Sequence, residues 1–485
     1  MTQSPKARFL SEFPKSLHEG NGAIFVGAGV SMAAGYPGWS ALLRDIGTQL
    51  GVSSKDVHDL AALAQWAIGA HGENRVRDII RKEILPEKEI PEAVRVIAQL
   101  PVKHIWTTNY DLLVERAFRE INRPIDPVSS AKGLSQKPLP GATRLYKMHG
   151  SVERTDDIVI STDHYELFRK TRRAYLPLFE AHLTSMSMLF IGISFTDPNV
   201  RHVLSLIRES FLDEPPEHFA IVKPPQRKEF GSAAEYKARL SQHKLWAADL
   251  KRYGLIAVEV DSYQEIPKLL REVEQQVAAR RIWVSGSWPL EHGGSHNVDM
   301  HALAESVGNK IGETGRDLVT GAGLLVGSAS LSGFLAALRD VGEWNMERRL
   351  IARPFPQPLA GKPPNRAQWA ALRSELARQA GIVIFLGGAK LENNILVEAS
   401  GVLEEFELAV KAGAFVIPVG ASGGAAKGIS ERLIGSKNSV VKPGLRPTDT
   451  ELTKLSNPKL MTSPQGREKL MEVIFKIIDR FSPQA

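Results

Sequence analysis

The chain has 485 residues, with 61 lysines and arginines against 54 aspartates and glutamates, a formal net charge of +7, and no cysteine. That length asks for two or three domains at the usual ~100–200 residues each. The missing cysteines exclude disulfides, thiolate metal sites and cysteine nucleophiles together. Basic residues scattered among nearly as many acids, with no basic stripe carrying interleaved aromatics, argue against nucleic acid as a partner. No apolar run approaches the ~20 residues of a membrane-spanning helix. The opening Met1-Thr2-Gln3-Ser4-Pro5-Lys6 lacks the apolar stretch of a secretion signal, so a cytoplasmic protein without a membrane partner is expected.

From about residue 20 to 275, short apolar runs alternate with helical periodicity, the pattern of a parallel sheet covered by helices. The predicted strands are Ile24–Val26, His104–Thr107, Arg144–Met148, Met188–Ile193, His218–Val222 and Ile256–Val260, near-continuous apolar runs of the kind buried on both faces. Between the first two, Ser53–Glu87 reads as helices turning Leu60, Leu63, Ala64 and Trp66 inward. A helix carrying Ile266, Leu269, Leu270, Val273 and Val277 ends at Ala278-Ala279, and a fresh strand begins at Ile282, which puts the domain boundary between residues 279 and 280. Domains over 1–279 and 280–485 are therefore expected.

The second half repeats the plan, with strands running into glycine turns at Ile282–Ser287, Asp317–Gly327, Gly381–Gly388 and Ala414–Gly420. The fold class is α/β, two doubly wound Rossmann-like domains. The proline-rich stretches Glu214–Pro225 and Arg353–Pro364 read as surface loops. Leu470, Val473, Ile474, Ile477, Ile478 and Phe481 share one face of a closing helix, which is either core or an oligomer contact.

Ala23-Ile24-Phe25-Val26-Gly27-Ala28-Gly29-Val30-Ser31 is an apolar strand that enters a glycine turn and a helix start, which aims backbone N–H groups at a phosphate. Taken alone, such a junction is equally a matter of turn geometry. Thr107-Thr108-Asn109-Tyr110-Asp111 adds an amide and a carboxylate on one pleat face at a second strand tip, within reach of a ribose. His149, between Met148 and Gly150 at a third tip, adds a candidate general base, with Lys147 expected on the opposite side of the strand. Gly35-Tyr36-Pro37-Gly38-Trp39 reads as a constrained aromatic loop that closes over a nicotinamide. Polar chemistry gathered at strand tips predicts a site that acts on NAD. In the second half, Val284-Ser285-Gly286-Ser287 and Thr320-Gly321-Ala322-Gly323 are further strand tips, while Gly387-Gly388-Ala389-Lys390 leads to a helix expected to carry Glu398, Glu404 and Glu405.

The first set of motifs, in this order, resembles the sirtuin-like (SIR2) family over roughly residues 15–275, and its bacterial defence branch more than its deacylases. The resemblance implies NAD binding by Gly27, Ala28, Gly29, Ser31, Asp111 and by Ser194 in Gly192-Ile193-Ser194-Phe195-Thr196-Asp197-Pro198, with Asn109 and His149 catalytic. Sirtuin deacylases carry a four-cysteine zinc module, and an acidic residue where this chain has Gly38. The implied reaction is therefore hydrolysis of NAD to nicotinamide and ADP-ribose without a metal; an NAD-dependent deacylase and a non-enzymatic nucleotide sensor are the alternatives.

Residues from about 282 to 480 resemble the SLOG family, whose enzymatic relatives carry Pro-Gly-Gly-x-Gly-Thr-x-x-Glu. Here that stretch is Leu386-Gly387-Gly388-Ala389-Lys390-Leu391-Glu392-Asn393-Asn394, and the lost Gly-Thr favours binding over a second catalytic role. A sirtuin-like domain followed by SLOG is similar to the effectors of Thoeris antiphage systems. That likeness implies signal binding by Ser285, Gly286, Ser287, Gly321, Gly323, Arg373, Lys390 and Glu405, with Glu404 as the register alternative to Glu405. It further implies activation by a cyclic ADP-ribose isomer that a TIR-domain partner makes, and a homotetramer that stacks into filaments when active.

Overall fold

Near-continuous apolar runs become strands buried on both faces in each of two units, Met1–Glu274 and Gln275–Ala485. The computed structural model describes residues 3–482 except 53–56, 58, 196, 212–214, 291–293, 344–345, 357–364 and 435–440. The division falls inside the helix Ile266–Ala278, a few residues ahead of the expected boundary.

The N-terminal unit has strands β1 (Gly22–Val26), β2 (His104–Thr107), β3 (Ile125–Val128), β4 (Thr143–Lys147), β5 (Ser187–Ile191), β6 (His218–Val222) and β7 (Leu255–Glu259). They pair in parallel in the order β3-β4-β2-β1-β5-β6-β7. The chain lays β2, β3 and β4 on one side of β1 and then crosses to β5 on the other, so the order reverses between β1 and β5. In open sheets of this type ligands bind at the carboxyl ends of the strands beside such a reversal. Phe25 stacks on Phe190 at 5.5 Å between ring centres, and Trp106 meets Phe179 at 4.9 Å, which ties the central strands to the helix Tyr175–Ser185.

Several expectations are corrected. β3, absent from the predicted strands, is an edge strand holding Pro127, a residue that central strands exclude. The strands β4 and β5 stop at Lys147 and Ile191, which leaves Met148, Gly192 and Ile193 to the tip loops. In the helix Leu60–His71 the buried stripe runs through Leu63, Ala64 and Ala67, while Leu60 is half-buried and Trp66 lies off its edge, 53% exposed. The proline-rich stretch from 214 onward is crossed by β6, and its residue 214 lies outside the described residues, as do 357–364 of the second.

The C-terminal unit has β8 (Arg281–Ser285), β9 (Asp317–Thr320), β10 (Leu350–Ala352), β11 (Ile382–Phe385), a hairpin of β12 (Ala389–Glu392) with β13 (Ile395–Glu398), and β14 (Phe415–Pro418). The main sheet is parallel in the order β10-β9-β8-β11-β14, reversing between β8 and β11. Glu398 is thus on β13, ahead of the helix Ser400–Ala412 that carries Glu404 and Glu405. The hairpin turns on Asn393 and Asn394, at φ 52° and 61°, the left-handed pair that a two-residue turn requires. The closing helix Pro464–Phe481 buries Leu470, Ile474, Ile477 and Ile478 in the core of this unit, and Phe481 lies 4.4 Å from Phe415. Among the described residues no helix is long and apolar enough to cross a membrane.

Candidate functional site

The carboxyl ends of β1, β2, β4 and β5 bring the first set of residues together. Gly27 N–H donates to the Ile191 carbonyl and Gly29 N–H to the Gly192 carbonyl, both at 2.8 Å, so the β1 turn is laced to the tip of β5. A Cβ on Gly27 would stand 2.5 Å from that Gly192 oxygen, which is why the turn needs glycine. The phosphate-loop expectation shifts accordingly: these two amides are committed to β5, and what the glycines offer a ligand is the absence of side chains.

Asn109 lies across the same turn. Its Nδ2 donates to the Gly27 carbonyl at 3.0 Å, and its backbone N–H to Thr107 Oγ1 at 2.9 Å. Asp111 accepts from Ser31 Oγ at 2.5 Å with one carboxylate oxygen and from Leu113 N–H at 3.0 Å with the other, which starts the helix Leu113–Glu120. Both of its oxygens therefore brace the protein. Lys147 does not turn away: its Nζ donates to the Asp111 carbonyl at 2.6 Å and to Glu115 Oε1 at 2.8 Å, as an almost fully buried ion pair. A strand repeats every second residue, so Lys147 leaves β4 on the side His149 continues.

His149 is 1% exposed. Its carbonyl accepts from Val159 N–H at 3.0 Å, and its ring meets Tyr165 edge-on at 5.4 Å between ring centres and Phe168 at 6.2 Å. Its Nε2 stands 3.4 Å from Asp197 Oδ2, the oxygen that also accepts from the Tyr165 hydroxyl at 3.1 Å. Burial lowers the His149 pKa below the usual histidine value, the Asp197 carboxylate opposes that, and the Arg172 guanidinium adds to it. Burial raises the Tyr165 and Tyr110 hydroxyls far above theirs, with Asp197 adding to both. The lowered value favours the neutral ring, the form a general base requires.

Ser194 is exposed in the loop after β5, beside Phe195 at φ 56°, a left-handed backbone that a bulky residue rarely adopts. Of the motif around it, residue 196 lies outside the described residues. The aromatic loop reaches the site through Trp39, 6.2 Å from the Tyr165 ring, whereas Tyr36 is buried and donates to the Pro86 carbonyl. Sequence reading gave no role to Asp197 or Tyr165 and turned Lys147 to the wrong side of the strand. The Asp197-Pro198 pair was a visible signal, because an acidic cap followed by proline starts a helix.

In the C-terminal unit Ser285 Oγ donates to Glu405 Oε2 at 2.5 Å, and Arg373 reaches Glu405 Oε1 with Nε at 3.3 Å and Glu404 Oε2 with Nη1 at 2.8 Å. Burial pushes the Glu405 carboxyl pKa up, against the lowering by Ser285 and Arg373. The guanidinium lies 5.4 Å from the Phe355 ring and 5.7 Å from that of Trp369. Phe355 N–H donates to the Gly321 carbonyl, and a Cβ on Gly323 would stand 2.9 Å from the Gly286 carbonyl oxygen, so Ser285, Gly286, Gly321, Gly323, Arg373 and Glu405 converge. Ser287 accepts from the Gly388 and Ala389 amides on its carbonyl, at 2.9 and 3.0 Å. Lys390 stands apart from the Arg373 cluster: it is half exposed on β12 and pairs with Glu392 at 2.5 Å. Among the described residues no group of three or more His, Asp or Glu is placed to hold a metal ion.

Two doubly wound units with polar residues at their strand tips define a SIR2-like domain joined to a SLOG domain. Residues 103–246 match the SIR2-like domain family, and residues 265–481 match the Sir2- and TIR-associating SLOG family. The chain is 31% identical over 482 residues to the NAD(+) hydrolase ThsA of Bacillus cereus (strain MSX-D12), covering 98% of both chains. It is 32% identical over 437 residues to the NAD(+) hydrolase ThsA of Enterococcus faecium, covering 88% of this chain and 90% of that one. The chain belongs to the ThsA family.

Proposed function

We propose that this protein is an antiphage NAD hydrolase whose N-terminal domain, 1–279, splits NAD into nicotinamide and ADP-ribose when its C-terminal domain, 280–485, binds a signal. The observation that carries the reading is Asn109 and His149 on neighbouring strand tips, next to the reversal of strand order, in a chain whose relatives are named NAD(+) hydrolases. The bond between nicotinamide and ribose C1′ breaks with its electron pair leaving on the nicotinamide nitrogen, and the ribose becomes oxocarbenium-like. Water adds to C1′ and gives up a proton. Neutral His149 accepts a proton from that water or from a ribose hydroxyl, while Asn109, its Nδ2 held by Gly27, keeps its carbonyl oxygen for the positively charged ribose. Gly27, Ala28, Gly29, Ser31, Asp111 and Ser194 frame the dinucleotide.

The signal is a cyclic ADP-ribose isomer made by a TIR-domain partner. Arg373 and Lys390 suit its pyrophosphate and Glu405 its ribose hydroxyls, beside the turns at Ser285–Ser287 and Gly321–Gly323. A homotetramer, stacking into filaments when active, transmits the signal, provided that the ligand binds the active assembly more tightly than the resting one. Incubating the protein with NAD and separating the products by chromatography tests the chemistry. Nicotinamide and ADP-ribose are expected from the native chain and a loss of roughly 10²–10⁴-fold in Asn109→Ala and His149→Ala; variants that consume NAD at the native rate would overturn the assignment.

A further inference from the structure

We infer that Asp197 is a positioning residue for His149: its carboxylate, shared with the Tyr165 hydroxyl, fixes the orientation and tautomer of the imidazole. The inference rests on the reading of His149 as the base. Among the described residues, Asp197 is the one carboxylate within ion-pair range of that ring, with Oδ2 3.4 Å from Nε2. The carboxylate is itself immobilised. Oδ1 accepts from Asn199 N–H at 2.9 Å and Val200 N–H at 3.1 Å, which caps the helix Pro198–Ser210, and Oδ2 accepts from Tyr165 at 3.1 Å.

The ring has little freedom of its own. Tyr165 covers it edge-on from the helix Thr162–Glu166 and Phe168 from the helix Phe168–Thr171, and Val159 N–H holds its carbonyl. Tyr110 in turn donates to the Val159 carbonyl and steadies that segment. Nε2 is buried and makes no hydrogen bond in this structure, so its approach to Asp197 is the contact left to direct it. Contacts of this kind are often long without substrate and shorten when it binds. A proton on Nε2 facing Asp197 leaves Nδ1 as the basic nitrogen. Among the described residues, the charged and titratable groups acting on or packed against the ring are Asp197, Arg172 and Tyr165.

Asparagine caps helices about as well as aspartate, so Asp197→Asn in the full chain removes the charge and keeps the cap. The expected result is a kcat lower by roughly tenfold to a hundredfold, with KM and the melting curve little changed, because general acid–base catalysis as a whole supplies ~10²–10⁴-fold. The acid limb of kcat/KM moves to lower pH by about one unit, since the carboxylate that favoured the imidazolium is gone. Tyr165→Phe leaves the carboxylate unshared and moves the limb the other way, a pair of opposite shifts that a cap alone does not produce. The His149 imidazole, followed by NMR without substrate and assigned with His149→Gln, shifts in the same two directions.

Native kcat and an unmoved titration in Asp197→Asn would overturn the inference. If the native chain hydrolyses no NAD while the two NMR shifts are present, the proposed chemistry falls and the positioning role stands.

Discussion

Lys147 carries its charge inside the N-terminal unit, and the neighbours that accept it join three strand tips. Through the Asp111 carbonyl it holds the β2 loop, and through the Asp111 carboxylate that loop holds Ser31 on the β1 turn. Removing one partner of a buried pair leaves the other charge stranded at a cost of about 3–5 kcal/mol, whereas replacing both by apolar groups is far milder. Lys147→Met is therefore expected to be destabilised by that amount in denaturant melts, and adding Glu115→Leu to restore much of it. At the second site Arg373 is already paired with Glu404, so an incoming pyrophosphate must compete with that carboxylate. Glu404→Gln is expected to tighten binding of the cyclic signal severalfold by calorimetry; weaker binding would show that Glu404 contacts the ligand instead. Asn109 and His149 were legible in the sequence because polar residues at the ends of apolar strands stand out. Asp197 and Lys147 were not, since a capping aspartate and a lysine beside a strand end have ordinary explanations until the fold shows what they face.

The helices Ser295–Glu313 and Val326–Asp340 approach so closely that a Cβ on Gly308 would run into the Ser330 carbonyl. Gly308→Val is expected to lower the melting temperature of the C-terminal unit and to leave the N-terminal one unchanged. Under the other sheet, His218 at the start of β6 accepts from Met188 N–H at 3.3 Å, and burial pushes its pKa down to about 4. Between that value and the ordinary ~6.5 the unfolded chain binds more protons, so the stability is fully present above pH ~6.5 and is lost as pH falls toward 4. At pH 5 the loss is about 2 kcal/mol, and His218→Gln should flatten this part of the stability–pH curve. The central strands were legible because burial on both faces makes them continuous apolar runs. The edge strands β3 and β10 were not: β3 is interrupted by Asp126 and Pro127, and β10 has three residues. The β12–β13 hairpin was signalled by Asn393-Asn394, a turn pair hidden inside a stretch read for its glycines.

Across the molecule, one plan appears twice: a parallel sheet whose strand order reverses near its centre, with polar groups at the strand tips beside the reversal. The two copies carry different chemistry. In the first, the strand tips hold a buried imidazole and an amide; in the second, an arginine lies among two glutamates and two aromatic rings. Both plans were readable from glycine turns after apolar runs. The proposed coupling between them is not readable in that way, because it would depend on assembly and on the difference in ligand affinity between two states. The measurement that tests the central claim most directly is NAD consumption by the full-length protein with and without a cyclic ADP-ribose isomer. The account predicts nicotinamide and ADP-ribose formed in step with added signal and abolished in Arg373→Ala; a rate and assembly size that ignore the signal would contradict it.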